Sequence, residues 1–111
     1  MTINIRHRTI ELTDAIRAYV EEKLADVGRF GLPVRHIDVE VGKDNNHHKN
    51  GSVFCCRATL ELENGQTLTM DRDAADLYKA IDKVRDLIKE EMGDRHRENK
   101  PVSAEEVESV N

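Results

Sequence analysis

The sequence predicts an α+β fold: a single β-α-β-β-β-α domain with a four-stranded mixed sheet and two helices on one face. Segments in which polar and apolar residues alternate indicate four strands, and two segments with apolar residues at helical spacing indicate two helices. Each predicted strand has one apolar face and each predicted helix has one apolar stripe. Both helices are therefore expected to cover the same side of the sheet.

The first half of the chain predicts a β-α-β unit. Ile3 and Ile5 alternate with polar residues, which is typical of a strand with one buried face. Thr13 has a side chain that favours a helix N-cap, and Gly28 is a natural residue to end that helix. Residues 37–41 alternate again and predict the second strand. Because a helix connects them, these two strands are expected to be parallel.

The second half of the chain predicts two antiparallel strands followed by a helix. Residues 52–63 alternate regularly, and Asn64 and Gly65 predict a tight two-residue turn into the last strand. Asp73 is the predicted cap of the second helix, and Gly93 is its predicted end. The predicted buried stripe of this helix contains Leu77, Ile81, Val84 and Ile88. Phe54 and Leu60 of the third strand are expected to pack against Ile81 and Ile88 in the core.

Residues 1–93 are predicted to form the domain, and residues 94–111 to form a polar, mildly acidic, flexible tail. The net charge of the 111 residues is −5, and residues 101–111 hold −3 of it, so the remaining body is nearly balanced. The net charge argues by itself against simple nucleic-acid binding, for which a basic stripe is expected, but much of it is in the tail. The sequence has neither a long apolar run nor a secretory signal, so we expect a cytoplasmic protein without membrane contact.

The sequence gives little support for catalysis. It has no nucleophile elbow, phosphate-binding loop or zinc-protease motif. His47 and His48 lie near Cys55 and Cys56, but adjacent pairs do not supply four converging zinc ligands. Cys55 could be a thiolate beside Arg57, although an incidental cysteine on a sheet face is the favoured interpretation. We therefore expect no enzyme activity, metal, cofactor or small-molecule substrate.

Basic residues on the second helix are candidates for phosphate recognition. Lys79 and Lys83 share one flank of its exposed face, and Arg85 and Lys89 share the other flank. Acidic residues lie between the two flanks, so spacing alone favours a solvated helix with internal ion pairs. Further cations are predicted on the first strand and around the first helix: Arg6, Arg8, Lys23 and Arg29.

Two segments resemble a known family. The segment NIRHRTIELTDAIRAYVEEKL, residues 4–24, is similar to the start of bacterial ribosome hibernation factors. The segment DLYKAID, residues 76–82, is similar to their D-M-Y-x-A-I-D signature, and the Asn64-Gly65 turn falls where the family has its own. The chain therefore resembles the short form of this family, which is also labelled sigma-54 modulation protein. Its acidic tail is more similar to the ribosome-associated inhibitor, protein Y, than to the short family members that lack a tail.

The resemblance implies a protein that binds the small ribosomal subunit in the channel used by messenger and transfer RNA. Members of the family inhibit translation in stress or stationary phase. The residues expected to contact ribosomal RNA are Arg6, Arg8, Lys23, Arg29, Lys79, Lys83 and Lys89.

The late part of the second helix departs from the family's basic pattern. Leu87 stands where the family has lysine, and Glu90 and Glu91 stand where arginine and glutamine are common. These differences remove part of the expected phosphate-binding surface. The alternative is a divergent paralogue that acts as a protein-binding regulatory module, with weak or no ribosome binding.

Overall fold

The computed structural model describes residues 1–29, 32–44 and 53–98. Within these residues the chain forms four strands and two α-helices in the predicted order, β-α-β-β-β-α. The strands are β1 (Thr2–Arg8), β2 (Val34–Asp44), β3 (Val53–Leu62) and β4 (Thr67–Ala74), and the helices are α1 (Asp14–Leu24) and α2 (Leu77–Glu98). A short 3-10 turn, Val27–Arg29, follows α1. The predicted α+β class is confirmed.

The four strands form one mixed sheet in the order β1-β2-β3-β4. β1 and β2 are parallel, whereas β2 and β3, and then β3 and β4, are antiparallel. The register aligns Ile3 with Ile37, Ile37 with Leu60, and Leu60 with Leu68. One row of apolar side chains therefore crosses all four strands on the same face.

Both helices cover this apolar face, as predicted. Ile81 and Ile88 of α2 and Leu24 of α1 are fully buried in one cluster with the inner side chains of the sheet. Leu60 is fully buried with them, whereas Phe54 is only partly buried against the cluster. Phe54 lies near the start of β3, at the end of the sheet, where the Lys43 ammonium nitrogen is 5.7 Å from its ring centroid.

Helix α1 begins as predicted but ends earlier. The Thr13 hydroxyl accepts a hydrogen bond from the Ile16 amide at 3.1 Å, which confirms Thr13 as the N-cap. The predicted end at Gly28 is wrong, because α-helical structure stops at Leu24 and a 3-10 turn follows. Val27 in that turn is fully buried. Since a 3-10 turn repeats every three residues, Leu24 and Val27 still face the core, and apolar spacing alone does not separate the two kinds of helix.

Helix α2 is capped by Asp76, so the predicted cap at Asp73 is wrong. The β4 strand continues to Ala74, which leaves Asp73 inside the strand. The Asp76 carboxylate accepts a hydrogen bond from the Tyr78 amide at 2.7 Å, and the Asp76 carbonyl accepts the first helical bond from Ala80. Both aspartates match the cap pattern in sequence, and strand pairing decides between them.

The predicted end of α2 at Gly93 is also wrong, because the helix continues to Glu98. An interior glycine costs about 1 kcal/mol relative to alanine, which weakens a helix without ending it. Met92, directly before Gly93, is fully buried and holds this part of the helix on the core. The division into a domain of residues 1–93 and a flexible tail of residues 94–111 stays a prediction, because residues 99–111 lie outside the described residues.

The hairpin between β3 and β4 has a three-residue loop rather than the predicted two-residue turn. The Gly65 amide donates to the Leu62 carbonyl at 3.0 Å, and the Leu62 amide donates to the Gln66 carbonyl at 2.9 Å. Gly65 has a φ of +94°, whereas Asn64 does not have positive φ. This is the pattern of a type I turn followed by a left-handed glycine, so a single positive φ is enough.

A close contact joins the ends of β1 and β2. Thr9 has a φ of +65°, and its hydroxyl donates to the Lys43 carbonyl at 2.7 Å while it accepts from the Lys43 amide at 2.9 Å. A Cβ atom on Gly42 would lie 2.9 Å from the Arg8 carbonyl oxygen, so only glycine fits there without a shift of the backbone. This contact holds the end of β1, and Arg8 with it, against β2.

Replacement of Ile81 by alanine is expected to lower the free energy of unfolding by about 2–5 kcal/mol, because a fully buried side chain leaves a cavity. Chemical denaturation measures this loss. Lys79→Ala, on the exposed face of the same helix, is the matched control and should change stability by less than about 0.5 kcal/mol. A loss below about 1 kcal/mol for Ile81→Ala would contradict its place in the core.

Replacement of Asp76 by alanine is expected to cost about 1 kcal/mol, because the Tyr78 amide loses its side-chain acceptor. Asp73→Ala serves as the control, since Asp73 lies in β4 and does not cap the helix. The same denaturation experiment compares the two variants. A larger loss for Asp73→Ala than for Asp76→Ala would show that the cap is assigned to the wrong aspartate.

Candidate nucleic-acid interface

The structure separates the predicted cations onto two surfaces. Arg6 and Arg8 lie on the side of β1 that faces away from the helices, because Ile3 and Ile5 point towards the core. The lysines at 23, 79, 83 and 89 lie on α1 and α2. Arg29 lies in the 3-10 turn, and its side chain is outside the described residues.

We call the surface that contains Arg6 and Arg8 the open sheet face, which carries the outward residues of the four strands. The second is the helix surface, formed by Tyr19, Lys23, Tyr78, Lys79, Asp82 and Lys83.

Four side chains meet where α1 crosses α2. The Tyr19 hydroxyl donates to Asp82 Oδ1 at 2.7 Å, and Lys23 Nζ lies 3.9 Å from the same oxygen. Lys23 Nζ is also 5.3 Å from the centroid of the Tyr19 ring. The Tyr19 and Tyr78 rings are perpendicular, with an interplanar angle of 89° and centroids 4.8 Å apart. Asp82 thus links the two helices and holds Lys23 beside the tyrosine pair.

This arrangement follows from helical spacing on both sides. Tyr19 and Lys23 are one turn apart on α1, and Tyr78 and Asp82 are one turn apart on α2. Helical spacing predicts that Tyr19 lies on the apolar side of α1, but it does not identify Asp82 as the partner of its hydroxyl. The amphipathic pattern shows which side of each helix is apolar, but it does not show which flanks of two helices come together.

Carboxylates surround the Tyr19 hydroxyl. The hydrogen bond to Asp82, followed by burial and by the negative charges of Asp82, Glu22 and Asp76, raises the pKa of Tyr19 to about 12. The hydroxyl therefore stays protonated at neutral pH and remains a donor. The same observation shows that acidic groups offset the lysines at this end of the helix surface.

The basic residues of α2 differ in their surroundings. Lys79 and Lys83 are exposed, and Lys83 Nζ donates to the Asp73 carbonyl at 3.4 Å. Arg85 instead turns towards the segment between α1 and the 3-10 turn, where its guanidinium is 3.6 Å from Asp26 Oδ2. It also lies 3.7 Å from Asp86 Oδ1 of its own helix. Lys89 is exposed one turn further along. Lys79 and Lys83 are thus more accessible than Arg85 to an anionic partner.

The open sheet face carries alternating charges. The register aligns Arg6, Glu40, Arg57 and Asp71 in one row across the four strands. Arg57 Nη2 lies 3.6 Å from Asp71 Oδ2, and Arg8 Nε lies 3.6 Å from Glu40 Oε2. This face is open and polar, and its arginines are matched by carboxylates. It is not a purely basic surface.

Asp38 stays ionised in the middle of this face. The Asn4 amide donates to Asp38 Oδ1 at 3.1 Å, and His36 Nε2 lies 3.2 Å from the same oxygen. These contacts, Asn4 first and His36 next, lower the pKa of Asp38. A carboxylate that remains charged here weakens the attraction of the face for phosphate groups.

The cysteines do not have the properties of a catalytic site. Burial, followed by the Asp73 carboxylate, raises the pKa of the Cys55 thiol, which opposes thiolate formation. Burial raises the pKa of Cys56 to about 12. The described residues contain no group of three or more His, Cys, Asp or Glu side chains that could hold a metal ion. His47 and His48 lie outside the described residues.

In the part of the chain that the structure describes, neither helix has a stretch apolar and long enough to cross a membrane. Several solved structures share this fold, among them the following two. A ribosomal subunit interface protein from Coxiella burnetii has a TM-score of 0.69 and 17% identity, over 86% of this chain and 97% of that chain. The protein Y N-terminal domain from Thermus thermophilus has a TM-score of 0.67 and 28% identity, over 86% of this chain and 99% of that chain.

Residues 3–100 match the family model described as Sigma 54 modulation protein / S30EA ribosomal protein, and the chain belongs to this family. The ribosome hibernation promotion factor of Lactococcus lactis subsp. cremoris is 30% identical over 89 residues, which cover 80% of this chain and 46% of that protein. The ribosome-associated factor Y of Haemophilus influenzae is 26% identical over 106 residues, 96% of this chain and 92% of that protein. The chain thus spans about half the length of the first relative and nearly all of the second. The family resemblance seen in the sequence is confirmed.

In a Tyr78→Phe variant, Tyr19 is the remaining tyrosine of the chain, so phenolate absorbance reports its ionisation. We expect a midpoint near pH 12, and Asp82→Asn should lower it because the carboxylate acceptor is lost. Asp86→Asn, on the exposed side of α2, is the control and should leave the midpoint in place.

The same contact predicts a pH dependence of stability. The pKa of Tyr19 is about 12 in the folded protein and about 10 in an unfolded chain. Its contribution to stability is therefore complete below pH of about 10 and is lost as the pH rises towards 12. If Asp82→Asn leaves the Tyr19 midpoint unchanged, the hydrogen bond is not the cause of the shift.

Proposed function

We propose that this protein is a ribosome-associated hibernation factor that binds the small ribosomal subunit and inhibits translation in stress or stationary phase. The observation that carries the proposal is the family match over residues 3–100. The names of the relatives, a ribosome hibernation promotion factor and a ribosome-associated factor Y, support a ribosomal partner. This function requires binding rather than catalysis, and it acts in the cytoplasm, where ribosomes are.

The proposed contact to ribosomal RNA is the helix surface. Lys79 and Lys83 extend from the exposed flank of α2, and Lys23 extends from α1 across the helix crossing. Lysine ammonium groups on flexible stems are suited to phosphates in a backbone of irregular shape. We expect Lys89 and Arg29 to contact the RNA at the edge of this surface.

Acidic residues limit the strength of this contact. Asp82 lies 3.9 Å from Lys23 Nζ, and Asp86 and Glu90 lie on the exposed side of α2 between its basic flanks. A phosphate that approaches Lys23 competes with the Asp82 carboxylate. Ion pairs on a protein surface are weak, so RNA can displace them at a cost of about 0–1 kcal/mol each.

Arg6 and Arg8 are assigned a secondary part in the proposal. They lie on the open sheet face, on the other side of the sheet from the helices, and Arg8 is 3.6 Å from Glu40. A single flat RNA segment does not reach both surfaces at once. These arginines contribute only where RNA surrounds the domain, as in a channel.

Replacement of both Lys79 and Lys83 by glutamine is expected to weaken binding to purified small subunits at low salt. Each lost phosphate contact should also flatten the slope of log affinity against log salt by about 0.7–0.9. The matched control is Arg35→Gln with Arg57→Gln, which removes the same charge from exposed positions on β2 and β3, outside the helix surface. Co-sedimentation over a range of salt concentrations measures both quantities.

The outcomes separate the alternatives. Equal losses in the two double variants would show that net charge, and not the helix surface, governs binding. Failure of the parent protein to co-sediment at low salt would sink the ribosomal proposal. Binding with little salt dependence would instead favour the alternative of a module that binds a protein partner.

A further inference from the structure

We propose that Tyr78 is a stacking platform for an unpaired RNA base, so that the helix surface recognises single-stranded rather than duplex RNA. This inference rests on the proposed function and specifies the kind of RNA that the same surface accepts. It makes Tyr78 a binding residue in addition to the lysines.

The exposure of Tyr78 is the first observation. Among the described residues, Tyr78 and Met1 are the exposed large hydrophobic side chains, and 38% of Tyr78 is accessible. Met1 is a chain-terminal residue, whereas Tyr78 lies in the first turn of a helix whose neighbouring Leu77 is buried. The tyrosine is thus held by a rigid element with its ring partly in solvent.

The second observation is that the ring is already oriented. Tyr19 meets Tyr78 at 89° with centroids 4.8 Å apart, and the Tyr19 hydroxyl is tied to Asp82 at 2.7 Å. In a perpendicular pair one ring presents its edge to the face of the other. Whichever ring presents its edge, Tyr19 leaves at least one face of Tyr78 uncovered. A base therefore has a preoriented aromatic face on which to stack, which lowers the entropy cost of binding.

The third observation is the mixed charge around this ring. Lys23 and Lys79 are within the helix surface, but Asp82, Glu22 and Asp76 lie close enough to Tyr19 to raise its pKa. Phosphate attraction here is therefore partly cancelled. Stacking on an aromatic ring depends little on this balance, and every base has a face to offer.

These observations favour an unpaired base over a duplex. In an RNA helix each base face is covered by its neighbours, and proteins contact the duplex mainly through its phosphates and hydroxyl groups. A loop or single strand can place one base on Tyr78 while its flanking phosphates approach Lys23 and Lys79. The Tyr78 ring can stack on any base, so it favours unpaired over paired RNA without favouring a particular sequence.

The test compares the full-length protein with Tyr78→Leu, which keeps apolar bulk but removes the ring, and with Tyr78→Phe, which keeps the ring. The probes are a short unstructured RNA of mixed sequence, the duplex that it forms with its complement, and isolated small subunits. We expect Tyr78→Leu to bind the single strand about 5- to 150-fold more weakly, with an unchanged salt slope. Tyr78→Phe should recover most of that loss, and duplex binding should be equal in all three proteins.

Tyrosine fluorescence measures the stacking of a base on Tyr78 directly. The chain has no tryptophan and two tyrosines, so a Tyr19→Phe variant leaves Tyr78 as the single tyrosine fluorophore. Stacking should quench this fluorescence on addition of the single strand but not of the duplex. Thermal melting of each variant separates a loss of binding from a loss of folding.

Each failure has a distinct meaning. If the parent protein binds small subunits and Tyr78→Leu binds the single strand equally well, the stacking platform is overturned and the proposed function stands. A loss of equal size on single-stranded and duplex RNA, or no recovery in Tyr78→Phe, also overturns it. If the parent protein binds neither small subunits nor RNA at low salt, both the proposed function and this inference fail.

Discussion

Burial of one face of the sheet beneath both helices is the constraint on which the rest of the structure depends. The row from Ile3 through Ile37 and Leu60 to Leu68 crosses every strand and needs cover along its whole length. One helix alone is too narrow to cover four strands, so α1 and α2 lie side by side. Because the two helices pack side by side, the Tyr19 hydroxyl contacts Asp82 and the Tyr19 ring contacts Tyr78.

The same constraint gives the protein two different outer surfaces. On the open sheet face the register places opposite charges next to one another, as in the row that contains Arg6, Glu40, Arg57 and Asp71. The helix surface has exposed lysines together with an exposed tyrosine, so it combines ionic and stacking contacts. A partner rich in phosphates and bases matches the second surface better than the first. The net charge of −5 conceals this difference, because it averages over both surfaces and the acidic C-terminal residues.

Local signals along the chain were accurate for element type and less accurate for element ends. The Thr13 cap was predicted correctly because β1 ends at Arg8, well before Thr13, whereas β4 continues through the first of the two candidate caps of the second helix, Asp73 and Asp76. Strand pairing continues through Asp73, opposite Cys55, and pushes the cap to Asp76. Gly93 has the local signature of a helix end, but burial of Met92 outweighs the small cost of an interior glycine. Competition with non-local packing thus decided these boundaries.

The sequence by itself determined the element order and the sheet with one apolar face, because apolar residues recur with periods of two and 3.6 residues along the chain. It also determined the family, through the segment DLYKAID. The sequence further determined which cationic residues each strand and helix carries. Only the tertiary structure decided that Arg6 and Arg8 lie apart from the lysines of the helices, and that Arg85 turns towards Asp26. It alone brought Tyr19, Lys23, Tyr78 and Asp82 together. These contacts join residues far apart in sequence, and the flank at which two helices meet depends on how both pack on the sheet, which no local pattern encodes.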